Sequence, residues 1–462
     1  MINAIKNRWH MEGGYQDVLR IAIPLVLSTG SLSIQHFVDR MFLTWYSPEA
    51  IAAALPAGLI NFSLMSIFIG TATYVNTFVA QYYGAKRYPC IGPAIWQGLY
   101  FALISGIIVL PFYSLAGNIF RLAGHAPKVQ ALEIQYFRIL LFCTFPLTAA
   151  SALGSFYAGR GKTWVVMWVN VISTATNITL DYVLIFGKLG FPEMGMKGAA
   201  IATLTALCVR FLLYAILMAQ KKYRQRYNIS SGFQWNPDLF KRLLKYGLPN
   251  GLTFFLDLIG FTIFVMIVGR FGTHSLAATN ITFNINSLAF MPMMGFGMAA
   301  SILVGQHLGE NRPDLAQRST WSTFHLTFVY MGPIAISYIL FPQLFLIPYA
   351  SKADPENFPL IANLVVNLLK FVAAYSIFDT MNLVFAYAIK GAGDTRYVMV
   401  VSAILSWCLM IIPSYIAAKL FDRGLYLIWC FATLYIIILG IVFLLRFLGG
   451  KWKSMRVIEP NH

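Results

Sequence analysis

Charged side chains are scarce in this chain, at 11% of its 462 residues, where a soluble domain carries about a quarter. That shortage excludes an ordinary water-soluble fold of this length. Acids are the scarcer sign, with 17 Asp and Glu against 34 Lys and Arg. The basic excess does not describe a nucleic-acid surface, because the cations are scattered between apolar runs. The five cysteines, Cys90, Cys143, Cys208, Cys408 and Cys430, form no Cys-x-x-Cys pair, so neither a metal site nor a disulfide framework is expected. There is no His-Glu-x-x-His and no Gly-x-Ser-x-Gly. Gly161-Lys162-Thr163 copies the end of a phosphate loop, but Phe156 stands where that loop needs its first glycine. No enzyme is expected, and no cofactor other than a coupling ion. The ten-residue alternation of a membrane β-barrel is also missing.

What is abundant is apolar sequence: 58% of residues are hydrophobic and mean hydropathy is +0.67. A bilayer helix needs about 20 such residues. Apolar runs predict twelve spans, at 15–40, 49–81, 90–118, 130–158, 164–187, 198–219, 248–270, 275–305, 318–346, 358–389, 397–418 and 424–446. Residues 1–14 precede a full-length span without a small-residue cleavage site, so no removable signal peptide is expected. With the N-terminus inside, 21 Lys and Arg fall on inner segments and 9 on outer ones, with Lys6 counted inside and Lys352 and Arg423 outside. That bias puts both termini in the cytoplasm of a multi-pass protein. The expected home is the inner (plasma) membrane of a bacterium or archaeon.

The halves repeat each other. A shift of 225 residues lays Pro24 on Pro249, Asn61 on Asn286, Gly70 on Gly295, and Gln81, Gly84 and Arg87 on Gln306, Gly309 and Arg312. A shift of 232 lays Gly159, Gly161 and Thr163 on Gly391, Gly393 and Thr395. The fold class is therefore an all-α polytopic membrane protein of twelve transmembrane helices in two pseudo-symmetric six-helix bundles, with a cavity between them. Residues 1–219 form the first bundle, 220–246 a cytoplasmic linker, 247–446 the second bundle and 447–462 a cytoplasmic tail.

Four acids break this symmetry. Asp39, Asp181, Asp257 and Asp379 each lie in a different apolar run, and their repeat positions hold Phe264, Pro413, Leu32 and Leu147. An intramembrane carboxylate costs roughly 2.5–3.5 kcal/mol at a helix centre on insertion scales, so each is a functional candidate. Gln35 and Asp39 are four apart and share a helix face, as do Asn177 and Asp181. Two carboxylates with neutral oxygen donors suit a proton or a hard monovalent cation such as Na⁺ at Asp39, Asn177 and Asp181. The alternative is inter-helix hydrogen bonding, or an Asp39–Arg40 surface pair if the span ends early. Tyr375 and Asn382 share the Asp379 face, and Asn280 and Asn284 form a polar stripe on the eighth span. With Asp257 these make a second cation site or a surface for a cationic substrate. Inter-helix hydrogen bonds average only about 0.6 kcal/mol in membranes, too little to offset an ionised buried acid. Pro24 leaves a backbone carbonyl unpaired and marks a conformational hinge. The thioether-rich run 290–298 reads as packing before it reads as a ligand surface.

Val38-Asp39, Asn177-Ile-Thr-Leu-Asp181-Tyr-Val-Leu-Ile-Phe-Gly187, Gly198-Ala-Ala-Ile-Ala-Thr203, Gly247-Leu-Pro-Asn-Gly-Leu252 and Gln306-His-Leu-Gly-Glu310, in this order, resemble the multidrug and toxic compound extrusion (MATE) family over nearly the whole chain. The resemblance implies alternating access driven by H⁺ or Na⁺ and export of small cationic, amphiphilic drugs and toxic organic compounds. It places Asp39, Asn177, Asp181 and Thr203, with Tyr136, at an ion or proton site in the first bundle. It places Asp257 and Asp379 at the acidic pair of NorM-like members, many of which carry Glu at the Asp257 position. DinF-like members lean on the first site and NorM-like ones on the second, so both ions stay open, with H⁺ favoured. A monomer in the lipid bilayer is expected, with no nucleic-acid partner. Arg210 and Lys370 keep open a flippase of lipid-linked precursors, and a non-transporting membrane sensor is the reading from another class.

Overall fold

The computed structural model describes residues 8–350, 358–420 and 424–460. Lys6, Lys352 and Arg423, which entered the orientation count, lie outside the described residues. The first half runs α1 (Tyr15–Tyr46), α2 (Pro48–Thr73), α3 (Val75–Gly84), α4 (Ile91–Ile108), α5 (Pro111–Ala123), α6 (Pro127–Leu141), α7 (Thr144–Ala158), α8 (Thr163–Phe186) and α9 (Met196–Met218). A short α10 (Lys221–Arg226) leads to α11 (Pro237–Gly269), α12 (Thr273–Gly309), α13 (Pro313–Leu340), α14 (Pro342–Ala350), α15 (Phe358–Ala392), α16 (Thr395–Leu405), α17 (Ile412–Leu420) and α18 (Leu425–Leu448). A π-helical turn, Ser406–Ile411, joins α16 to α17. Among the described residues there is no strand.

Among the described residues eleven helical segments are long and apolar enough to cross a bilayer, and the number is twelve when α6 and α7, bent by 40°, are taken as one span. The run expected as one span at 130–158 is thus two helices with a break between them. Helices close the backbone's hydrogen bonds internally, which is what hydrocarbon demands. Their ends follow local chemistry. Ser47 caps α2, its hydroxyl accepting from the Ala50 N–H at 3.0 Å, with Pro48 at the first helical position. Gly187 ends α8 at φ +62°, a left-handed conformation that glycine adopts without steric cost.

The chain forms two compact units. One holds Met1–Val26, Leu256–Val304 and Arg312–Met455; the other holds Leu27–Phe255, Gly305–Asn311 and Arg456–His462. In the first unit α15 packs along α13 and α18, around a core that includes Phe264, Phe283, Val365, Leu369, Val372 and Trp429. In the second unit α8 lies along α9, α4 along α7 and α2 along α6. Gly198 allows the α8–α9 approach, for a Cβ there would stand 2.7 Å from the Leu184 carbonyl. The repeat shows itself within this unit as a reciprocal crossing: Gly84 lies against the Gln306 backbone and Gly309 against that of Gln81.

The C-terminal segment docks on the second unit. The Val457 N–H donates to Gln81 Oε1 at 2.8 Å. The Glu459 carboxylate accepts from Arg87, from Arg242 at 2.6 Å and from the Tyr82 hydroxyl at 2.9 Å. Burial alone would raise the Glu459 carboxyl, but the hydrogen bonds it accepts and the Arg242 charge hold it below its ordinary value.

Candidate functional site

In the second unit, α1 and α8 run side by side with their polar faces together. Asn177 and Asp181 are fully buried. Neither polar atom of Asn177, neither oxygen of Asp181, nor Oδ1 of Asp39 has a hydrogen-bond partner. The Asp39 and Asp181 side chains are close enough to interact directly. Gln35 is buried one turn before Asp39 and accepts from the Thr174 hydroxyl at 3.4 Å. Tyr136, on α6, reaches the charge field of both acids and packs with Val38 and Phe42 of α1. Thr203 is half-buried on α9, the helix that lines α8. Helix α1 continues seven residues past Asp39, and among the described residues no ion pair joins Asp39 to Arg40, which is exposed.

Buried polar groups are nearly always paired, and an unpaired one costs about 1–3 kcal/mol, more if charged. Here five such atoms from two helices converge. One inter-helix bond, Thr174 to Gln35, is made beside them, and these five atoms are not paired by it. The four oxygens among them can take up a proton or a hard monovalent cation, and the two carboxylates, both ionised, would repel strongly without one. The structure adds two residues here that sequence reasoning had not assigned to this cluster. His36 lies in the charge field of Asp39, Arg40 and Arg210, and Arg210 on α9 has a buried Nε without a partner. His36 sits one turn from Asp39, a spacing visible in the sequence.

In the first unit, Asp379 is buried on α15 and accepts from Asn382 Nδ2 at 3.2 Å. The Tyr375 hydroxyl, one turn earlier, accepts from Asn286 Nδ2 at 3.4 Å. Asn286, singled out in the sequence only as a repeat landmark, is thus the α12 amide that meets this site. Asn280 and Asn284 lie on an exposed face of α12. Asp257 on α11 is exposed, within the charge field of Lys390. Lys390 Nζ in turn lies 4.5 Å from the Tyr387 ring centroid. Lys390 falls just past the span expected at 358–389, but α15 runs on to Ala392 and carries it. The π-turn abuts α11 at Gly260, where a Cβ would stand 2.9 Å from Ser406 Oγ; such turns are frequent at functional sites. Met293 of the thioether-rich run is buried, its sulfur accepting from Thr380 at 3.7 Å. Pro24 is buried inside a continuous α1, two residues before that helix changes unit.

A multi-pass helical membrane protein, built on a sequence duplication and carrying intramembrane acids in both halves, has the form of a secondary transporter. The MatE family model matches residues 24–183 and 249–416. The chain belongs to that family, which is one of transporters. It is 28% identical over 409 residues to a probable multidrug resistance protein NorM of Brucella suis, covering 87% of this chain and 85% of that one. A probable multidrug resistance protein NorM of Thermotoga maritima is 25% identical over 450 residues, covering 96% and 94%. Among solved structures, an outward-facing multidrug resistance MATE family transporter of the MOP superfamily superposes with a TM-score of 0.86 at 19% identity, over 96% of this chain and 97% of that one. A MOP superfamily transporter from Pyrococcus furiosus gives 0.85 at 19% identity, over the same shares. These two likenesses carry the fold alone.

Proposed function

We propose that this protein is a cation-coupled multidrug antiporter, not an enzyme, that exports small cationic, amphiphilic compounds by alternating access. The observation that carries the proposal is the set of partnerless buried oxygens on Asp39, Asn177 and Asp181. With the coupling cation bound, the acid pair is neutral and its hold on a cationic cargo weakens. With the cation released, the acids recruit the next cargo ion. Thr203, Gln35 and Tyr136 shape this site. The Asp257–Asp379 group, with Tyr375, Asn382, Asn280 and Asn284, serves as a second place for the ion or the cargo. Pro24 bends α1 as the site changes access. H⁺ is favoured as the coupling ion and Na⁺ is the alternative. The protein works as a monomer in the plasma membrane with both termini in the cytoplasm.

The NorM relatives are named as probable multidrug resistance proteins, which supports the choice of cargo class. Arg210 and Lys370 favour the second reading, a flippase of an anionic lipid-linked precursor. Lys370 lines a cleft of about 520 Å³ with Asn367, Phe371 and Tyr426. Dye efflux in a pump-deficient host tests the choice. Asp39→Asn is expected to abolish efflux at unchanged membrane abundance, and undiminished efflux in that variant would count against the antiporter. A parent that exports no dye, yet moves a lipid-linked precursor between leaflets, would establish the flippase.

A further inference from the structure

The polar contacts between α1 and α8 do not stop at the acid pair. Asn170 Nδ2 donates to Ser28 Oγ, Thr174 Oγ1 donates to Gln35 Oε1, and above them Asp39 meets Asp181. Ser28 and Asp39 are eleven residues apart on α1, as are Asn170 and Asp181 on α8. At 1.5 Å per residue the rungs form a seam about 16 Å long, roughly half the thickness of a hydrocarbon core. Ser28, Gln35, Asn170 and Thr174 are all at least nine-tenths buried. The seam runs from the acids toward the Thr163 end of α8, the end that the basic-residue bias assigns to the cytoplasm.

Arg210 borders its lower part. Ser173 Oγ donates to the Ala206 carbonyl at 2.9 Å, which fixes the register of α8 against α9. Arg210 is one turn beyond Ala206, level with the Asn170 rung, and its side chain leans back toward its helix N-terminus. Its Nε is buried without a partner, and its charge reaches His36. The other charged or titratable side chains near the seam are Asp39, Asp181, His36 and Arg40, with Tyr136 beside the acids and Tyr214 beside Arg210.

We propose that this seam is the release track by which the coupling cation leaves the acid pair toward the Thr163 end of α8, and that Arg210 is a positioning residue whose charge closes the track between turnovers. Hydroxyl and amide oxygens at successive rungs can accept a partly hydrated cation or a water chain. A fixed guanidinium beside them repels a second cation until the transport step moves it. A merely structural seam would hold the helices together and conduct nothing. The proposal rests on the reading of Asp39 and Asp181 as the ion site.

The test uses the full chain in liposomes, with no cargo, under an imposed H⁺ or Na⁺ gradient. Arg210→Gln is expected to raise passive cation leak about tenfold, Arg210→Lys to leave the vesicles as tight as the parent, and Asn170→Leu added to Arg210→Gln to abolish the leak. Vesicles of Arg210→Gln as tight as the parent would overturn the proposal, and so would a leak that survives Asn170→Leu. If Arg210→Gln does not fold, Asn170→Leu alone decides: cargo exchange slowed at least about tenfold at unchanged cargo Kd supports the track, and normal exchange refutes it. Calorimetric cation binding to the parent and to Asp39→Asn separates the two levels. A parent that binds no cation defeats the ion-site reading, whereas binding with a tight Arg210→Gln defeats only the track.

Discussion

Replacing Asp181 with asparagine removes one carboxylate from a pair while keeping its shape. Two unit charges about 4 Å apart repel by about 4 kcal/mol at an effective dielectric of about 20. Asp39 is only half-buried, so solvent screening halves this to about 2 kcal/mol. Asp181 itself is fully buried with both oxygens unpartnered, and an asparagine there still leaves polar atoms to satisfy, which trims the gain to about 1–2 kcal/mol. The variant is therefore expected to be more stable than the parent in Na⁺-free detergent solution at a pH alkaline enough to strip the proton from the pair, with a Tm higher by a few degrees. At the same time it is expected to lose dye efflux by at least about a hundredfold, because its cation has lost half its ligand charge. Scanning fluorimetry of the purified protein and efflux from the same cells measure the two effects. A site that serves function at the expense of stability gives opposite signs. An Asp181→Asn protein that melts lower and transports normally would show that the carboxylate is structural, and the reasoning from unpaired atoms would be wrong.

Asp379→Asn keeps the Asn382 contact in a neutral form, so we expect folding within about 1 kcal/mol of the parent and a loss of cargo affinity or coupling, read as a changed dye KM. Pro24→Ala returns an N–H to the Arg20 carbonyl and straightens α1; efflux is expected to slow several-fold while Tm holds or rises, and unchanged efflux would remove the hinge. The Glu459 carboxyl is held below its unfolded value of about 4.3, so docking of the tail gains stability that is fully present above that pH and is lost as pH falls through the lower folded value. The protection factor for hydrogen exchange at the Val457 amide should therefore be high and flat across neutral pH and fall only in acid. Glu459→Gln should release that protection at neutral pH at a cost of about 1 kcal/mol, since the pair is partly exposed. Efflux that persists with a proton uncoupler but requires Na⁺ would reverse the preference for H⁺.

Much of this was legible because bilayers impose strong rules. Twelve apolar runs stand against eleven spanning helices among the described residues, or twelve with the 130–158 run, realised as two helices bent at residues 142–143, taken as one span. The i, i+4 spacings of Gln35–Asp39 and Asn177–Asp181 place side chains on common helix faces, but spacing is silent on which helices meet. Only coordinates show α1 parallel to α8 with Ser28 beside Asn170. Lys390 escaped notice because a cation followed by Gly391 and Gly393 looks like a loop, whereas α15 carries it to within charge range of Asp257. Asn280 and Asn284 match a polar stripe by period, yet the α12 amide that touches Tyr375 is Asn286, two residues on. The change of unit after Val26 has no sequence signal beyond the nearby Pro24. The docked tail had none either, for Arg87, Arg242 and Glu459 are far apart in the chain.

The most direct measurement is cation-driven dye transport into proteoliposomes by the parent and by the Asp39→Asn, Asp181→Asn double variant, each shown to be folded. The parent should accumulate a cationic dye against its gradient when a proton gradient of the right sign is imposed, and the double variant should accumulate none. Equal accumulation by both would contradict the account at its centre.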